Sequence, residues 1–165
     1  FPTRRSSELD TALDVSLKVA DAAEQVLRRS LPALVAGNAA ATPLDLKRGS
    51  YFGRRRPEDG RIDWRCTARA VHDLVRAVAP PFPGAWTEGK GCRLAILETR
   101  LDARPVKYPA GAPCLYAEGG EWFADCMDGR RLRILQLAID GQAVSPDRAP
   151  PALARQPLAL GVATG

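Results

Sequence analysis

The sequence predicts an α+β protein in which a long N-terminal helix and a second, shorter helix precede a small antiparallel β-sheet or barrel. Apolar residues recur at helical spacing over residues 10–36 and again over 67–78. After Gly84 the pattern changes to the alternation that is typical of strands. The 165 residues are 45% apolar and 26% charged, which is sufficient for one ordinary domain with a hydrophobic core.

The first helix has recognisable start and stop signals. Asp10 or Thr11 can cap its N-terminus by accepting backbone N–H bonds. Pro32 predicts a kink or a break near its end, and Gly37 supplies the stop. Its apolar side is formed by six residues at helical spacing: Leu13, Leu17, Ala20, Leu27, Leu31 and Leu34. An apolar helix face of this width is expected to pack against another protein surface.

Residues 38–66 show no clear period and are typical of a connection between domains, with a turn at residues 57–60. Ile62 and Trp64 alternate with charged neighbours, so we expect Trp64 to pack rather than bind. The second helix is predicted from Thr67 to Val78, and Pro80 and Pro81 end it.

Short strands are predicted at Cys92–Glu98, Ala112–Tyr116, Trp122–Met127 and Leu132–Ile139. A tight turn at residues 128–129 joins the last two, and a similar turn at 140–141 closes the last one. Residues 145–165 are rich in proline and alanine, which predicts a mobile tail.

The N-terminus predicts neither secretion nor a membrane anchor. Residues 1–9 lack the apolar stretch of a signal peptide and resemble a translated sequencing adapter, so we treat them as a non-native extension. No apolar run approaches the roughly 20 residues that a membrane span requires. We therefore expect a cytoplasmic protein with no membrane partner.

The net charge of +5 and the pI of about 9.3 favour an anionic partner such as a nucleotide, a phosphorylated substrate or RNA. The four cysteines are Cys66, Cys92, Cys114 and Cys126. None are at Cys-x-x-Cys spacing and the only histidine is His72, so we expect reduced thiols and no metal site.

The clearest candidate for function is a basic segment between residues 47 and 65. It contains seven cations (Lys47, Arg48, Arg54, Arg55, Arg56, Arg61 and Arg65) and three anions, which leaves a net charge of +4. These arginines can hold a phosphate, or they can pair in solvent with the neighbouring carboxylates; the charge pattern alone leaves both open. Tyr51 or Phe52 could stack on a base.

Two side chains of the second helix are weaker candidates. Arg76 lies beside the apolar stripe, from which it can reach water or face a ligand cleft. His72 has no partner with the spacing of a catalytic pair, which favours a structural role.

Two stretches resemble the formyltransferase family. The first reads Gly-Ser-Tyr-Phe-Gly-Arg-Arg-Arg-Pro-Glu-Asp-Gly-Arg-Ile-Asp-Trp over residues 49–64, and the second reads Val-His-Asp-Leu-Val-Arg-Ala-Val-Ala-Pro-Pro-Phe-Pro-Gly-Ala over residues 71–85. The resemblance extends from residue 10 to about 141. It implies an enzyme in which a Rossmann-like catalytic domain binds 10-formyltetrahydrofolate and an OB-like barrel follows.

The resemblance also implies how the chain is divided. Residues 10–37 would be the last helix of the catalytic domain, 38–66 the linker, and 67–144 the C-terminal barrel domain. The family's catalytic Asn, His and Asp lie in the Rossmann-like domain, and no segment here matches their motifs. We therefore expect this chain to contain no catalytic residue and to be inactive as it stands.

The substrate that the resemblance implies is a nucleotide-linked amino sugar. The linker is most similar to the branch acting on UDP-4-amino-4-deoxy-L-arabinose in bacterial lipid A modification. From the charge, the aromatic residues and the position of the linker, we hypothesise that Tyr51, Arg54, Arg55, Arg56 and Arg76 bind this substrate. The methionyl-tRNA branch is the alternative, although its barrel needs a broad basic surface and the charge here is concentrated in the linker. A non-enzymatic nucleic-acid-binding module is a further alternative.

Overall fold

The computed structural model describes residues 10–51, 53–109, 112–148, 153 and 157–161. The chain divides into two compact units, Phe1–Arg56 and Pro57–Gly165. The predicted extension at residues 1–9 and the candidate Phe52 lie outside the described residues. The mixed α+β class is confirmed, with two α-helices and a nearly closed antiparallel sheet.

The first unit is built on helix α1, Ala12–Val35. Thr11 and Asp14 form a capping box, in which each side chain bonds to the other residue's backbone N–H. At the other end Gly37 has φ of +68°, and the N–H groups of Gly37 and Asn38 bond back to Leu34 and Ala33. The predicted start and stop are therefore confirmed. Pro32 lies inside the last turn and the helix continues past it to Val35, so no break occurs there.

The apolar side of α1 is exposed. No residue of the helix is buried, and Leu17, Val19 and Val26 each expose about 60% of their surface. Neither of the helices in the described part of the chain has the length and apolar character that crossing a membrane would require.

The second unit begins with helix α2, Ala68–Ala77, which closely matches the predicted span. The Thr67 side chain accepts the N–H of Ala70 and caps the helix. Val71 and Val75 are almost completely buried, and α2 packs mainly on the long second strand.

The sheet contains seven strands: β1 Ala85–Gly89, β2 Cys92–Asp102, β3 Cys114–Glu118, β4 Glu121–Asp125, β5 Arg131–Ile139, β6 Gln142–Ala143 and β7 Leu158–Ala159. Their spatial order is β1-β2-β5-β4-β3-β7, all antiparallel, and β6 pairs with the end of β5. The two edges of the sheet approach each other, because the Leu158 side chain in β7 lies against the backbone of Gly89 in β1. The sheet is therefore an OB-like barrel.

The four predicted strands are confirmed as β2 to β5 with shifted ends, whereas β1, β6 and β7 were missed. The turn predicted between β5 and β6 is also confirmed. Asp140 and Gly141 both have positive φ, +47° and +84°, as the right-handed twist of a two-residue hairpin requires.

The segment before α2 belongs to the barrel core. Ile62 and Trp64 are buried, and the Trp64 indole donates to the Thr87 hydroxyl at 3.0 Å. The predicted packing role of Trp64 is confirmed.

The prediction of a mobile tail over residues 145–165 is wrong at the positions that the structure describes. Leu153, Leu158 and Leu160 are buried in the core, and β7 pairs with β3. Leu160 also donates its N–H to Pro113 at 2.9 Å. The high alanine and proline content predicted an irregular segment, although three of its leucines are buried and help to complete the barrel.

We expect Leu158→Ala to lower the free energy of unfolding of the barrel unit by about 2–5 kcal/mol, because it removes a buried leucine and leaves a cavity. Urea unfolding followed by tryptophan fluorescence measures this change. Leu44→Ala is the control, since Leu44 exposes 83% of its surface and should change stability by less than about 0.5 kcal/mol. Equal effects of the two substitutions would contradict the packed position of β7.

We expect the amide hydrogens of α1 to exchange much faster than those of β5, because α1 buries no side chain and isolated helices are marginal in water. The exposed apolar side should also promote concentration-dependent association. Hydrogen exchange and light scattering of the 165-residue chain measure both effects. Strong protection of α1 in a monodisperse monomer would refute this expectation.

Candidate functional site

The predicted substrate-binding segment lies at the end of the first unit. A short 3₁₀ turn, Leu46–Arg48, is capped by the Asp45 carboxylate, which accepts the N–H of Lys47 at 3.1 Å. From Gly49 to Arg56 the described residues adopt no helix or strand. Tyr51 exposes 92% of its surface, and Arg54, Arg55 and Arg56 are exposed. These four candidates are therefore accessible to a ligand.

Two further arginines of the basic segment, Arg61 and Arg65, belong to the second unit and are paired with carboxylates. Arg65 forms a bidentate contact with Asp63, with distances of 2.8 and 2.9 Å, and Arg61 reaches Glu88 at 3.4 Å. Hydrogen bonds from the Arg65 side chain and backbone lower the pKa of Asp63 to about 2. The interpretation of solvated ion pairs therefore holds for Arg61 and Arg65, while the candidate segment at 51–56 stays a prediction.

Arg76, the remaining candidate, lies in the last turn of α2 in the second unit. Its Nη2 donates to Asp73 Oδ1 at 2.8 Å, and Asp73 Oδ2 accepts from Arg69 Nε at 3.1 Å. Burial opposes ionisation of Asp73, but the hydrogen bonds from Arg76 and Arg69 lower its pKa. Arg76 is thus held in an ion pair within its own helix. Its contact with a substrate stays a prediction.

His72 lies where α2 packs on β2. It is buried, and its Nδ1 lies 2.8 Å from the Thr99 hydroxyl of β2. Burial, and next the charge of Arg76, lower the pKa of His72 below its usual value. The geometry supports the structural role inferred from the sequence, because the ring is engaged inside the packing interface.

The structure places two arginines against the ring of Trp86, an arrangement that the sequence did not reveal. Trp86 in β1 is half-buried, with the Arg93 guanidinium 4.2 Å and the Arg61 guanidinium 5.6 Å from its ring centroid. The Trp86 indole donates to the carbonyl of Pro57 at 3.0 Å. Arg61 reaches Trp86 through an isolated backbone bridge, and Arg93 reaches it through the pairing of β2 with β1, so no local pattern could have indicated this group.

A second polar cluster lies on the outer face of the barrel. The buried Asp125 carboxylate accepts the N–H groups of Lys107 and Tyr108, at 2.8 and 2.9 Å, and the Tyr116 hydroxyl at 2.9 Å. Burial, and next the hydrogen bond to Asp125, raise the pKa of Tyr116. These bonds attach the segment between β2 and β3 to the barrel.

The cysteines are free thiols, as expected from the sequence. Burial raises the pKa of Cys114 to about 11 and that of Cys126 to about 12, so both are protonated at neutral pH. No group of three or more metal-ligating side chains occurs among the residues described.

A comparison with known families identifies a related domain. A family model described as the formyl transferase C-terminal domain matches residues 54–148, which is more than half of the chain. The match begins at Arg54 in the basic segment and ends at Arg148, after β6.

Because the pKa of His72 is lowered in the folded state, we expect the barrel to be less stable in mild acid than at neutral pH. The folded-state pKa of His72 lies below the unfolded value of about 6.5. As the pH falls below this value, the unfolded chain binds a proton before the folded chain does, so the free energy of unfolding falls. Urea unfolding between pH 8 and pH 5 measures it, and His72→Gln should flatten the curve.

His72 is the only histidine in the sequence, so side-chain titration in this interval is attributable to it. A wild-type curve that is flat, or one that stays equally steep in His72→Gln, would contradict the assignment.

Proposed function

The chain belongs to the formyl transferase C-terminal domain family, and from this we propose that it is the C-terminal part of an enzyme that formylates a nucleotide-linked amino sugar. In that reaction a formyl group moves from 10-formyltetrahydrofolate to the amine of a sugar of the UDP-4-amino-4-deoxy-L-arabinose type. The family supports formyl transfer and a folate cofactor; the choice of acceptor is our proposal.

The folate is proposed to bind to a preceding catalytic domain. The residues described here do not fit a pteridine ring, which needs buried hydrogen-bonding groups that face a pocket. Among them, no buried carboxylate or amide atom lacks a hydrogen-bond partner. We therefore assign no catalytic step to this chain, and we expect it to be inactive without the other domain.

Helix α1 supports the existence of a preceding domain. Its apolar side extends over the whole helix, from Leu13 to Val35, and stays exposed. An apolar surface of this kind usually marks an interaction site. We propose that it packs against the catalytic domain as the last helix of that domain.

The concentration of positive charge after Gly53 carries the proposal for the acceptor. Three consecutive arginines offer guanidinium forks suited to the oxygens of a nucleotide diphosphate. All three are exposed, and Tyr51 nearby offers a ring on which a base could stack. In an extended segment Arg54 and Arg56 project to the same side and Arg55 to the opposite side.

The second candidate is the methionyl-tRNA branch, and a specific observation favours it. The group of Trp86 between Arg61 and Arg93 places an aromatic ring and two cations on the barrel surface, which is the combination used to hold RNA bases and phosphates. A nucleic-acid-binding module without enzymatic activity would use the same group. Against both, Arg61 is already paired with Glu88.

We expect Arg54→Ala and Arg56→Ala, made in the enzyme completed with its catalytic domain, to weaken UDP-sugar binding by about 1.5–3 kcal/mol each, or about 10- to 150-fold, through loss of charge-assisted hydrogen bonds. Arg55→Ala should have a smaller effect. Isothermal titration calorimetry measures the affinities, and Arg48→Ala is the matched control outside the triplet.

Unchanged affinity in all three variants would remove the proposed role of the segment. Formylation of methionyl-tRNA without activity on amino sugars would overturn the choice of acceptor, and Arg93→Ala should then reduce tRNA binding.

A further inference from the structure

Two arginines face each other on the outer surface of the barrel. Arg100 in β2 is the cross-strand partner of Arg133 in β5. Directly opposite residues of an antiparallel pair share a face, with Cβ atoms about 4.5–5.5 Å apart, and like charges at such positions are destabilising. The barrel therefore carries a local excess of positive charge that folding alone does not require.

Of the carboxylates that form ion pairs near these two arginines, one binds Arg133 and the others bind different cations. Glu121 hydrogen-bonds to Arg133 itself. Asp102 binds Arg104 at 2.7 Å, and its Oδ2 lies 3.6 Å from the Nε of the buried Arg131. Glu118 is shared between Arg131, at 2.6 Å, and Lys107, at 3.0 Å.

Arg100 is left without compensation. In the part of the chain that the structure describes, no carboxylate forms an ion pair with Arg100, and its side chain is exposed. Arg131, two residues before Arg133, is instead buried and ion-paired with Glu118 and Asp102. The exposed charge of Arg100 is therefore the one that an external anion could neutralise.

Arg133 also lines a cleft of about 590 Å³. One side of this cleft is formed by Gly120 and Glu121, and the other by the segment from Ala143 to Arg148. Arg148 contributes a further exposed guanidinium, which forms no ion pair with a described carboxylate. Leu97 and Leu135 supply apolar surface beside it. The volume falls within the range of small-molecule sites.

We propose that Arg100, Arg133 and Arg148 form an anion-binding site on the barrel that takes the phosphate group of a small molecule. Guanidinium groups bind phosphate oxygens through two parallel N–H bonds, so Arg133 and Arg148 in the cleft, with Arg100 opposite Arg133, suit a diphosphate or phosphomonoester. The apolar residues of the cleft would contact the remainder of the ligand. The site uses no residue of the proposed substrate-binding segment, so it goes beyond the function proposed above.

The test measures binding of inorganic pyrophosphate to the 165-residue chain by isothermal titration calorimetry at low ionic strength. We expect Arg100→Gln and Arg148→Gln each to weaken binding about tenfold or more, while Arg130→Gln leaves it unchanged. Arg130 is the matched control because it is an exposed arginine in the β4–β5 turn that neither lines the cleft nor pairs across the strands with a residue that does. Arg133 is not substituted, because its loss would also free Glu121.

Thermal unfolding gives an independent readout that a structural role would not produce. Without pyrophosphate, Arg100→Gln should have an equal or higher melting temperature than the wild type, because it removes a repulsion. Pyrophosphate should raise the melting temperature of the wild type and of Arg130→Gln but not that of Arg100→Gln.

Two results would overturn the proposal. One is a pyrophosphate affinity that is the same in the wild type, in Arg100→Gln and in Arg148→Gln. The other is binding of a single-stranded RNA that Arg100→Gln and Arg148→Gln abolish while pyrophosphate does not bind, which would assign the surface to a polyanion.

Discussion

The barrel unit depends on the burial of one indole. Trp64 exposes 1% of its surface, and its N–H must find an acceptor in the core because an unpaired buried donor costs about 1–3 kcal/mol. The acceptor is the Thr87 hydroxyl, which fixes β1 against the segment that enters the barrel. Ile62 donates its backbone N–H to Trp86 at 2.8 Å, and Gly161 lies close to Trp64 at the other end of the unit. One side chain thus couples the entering segment, the first strand and the last described residues.

The sequence predicted the elements whose signals are local, and it missed those that exist only through tertiary contacts. Helix α1 has its cap and its glycine stop within the chain itself, and β5 is a long apolar run between two turns. Strand β1 contains Glu88 and Gly89 and lacks an obvious alternation, and β7 is two residues long and is stabilised by its pairing with β3. In the same way the exposed arginines at 54–56 were visible as a charge run, whereas the cross-strand pair of Arg100 and Arg133 required the register of β2 against β5.

Several arginines of the barrel unit have their side-chain donors occupied by carboxylates. Arg65, Arg76, Arg104 and Arg131 are held by carboxylates close in space, and the pKa values of Asp63, Asp73, Asp102 and Glu118 are lowered accordingly. Exposed pairs of this kind contribute little stability, but they occupy the donors of the arginines and so reduce their value for binding. The net charge of +5 already sets all cations against all carboxylates, so it measures the excess positive charge and does not identify the arginines that are available to a ligand.

The pKa values of the barrel's buried and ion-paired groups argue against proton transfer by these groups. A general base working near neutral pH needs a pKa close to the working pH and a route to its substrate. His72 has its pKa lowered and its ring is engaged inside a packing interface, so it is neutral and enclosed. The buried thiols of Cys114 and Cys126 are held protonated, and the ion-paired carboxylates are held ionised. Each of these groups therefore keeps one protonation state near neutral pH, so none of them is suited to exchange a proton with a substrate there.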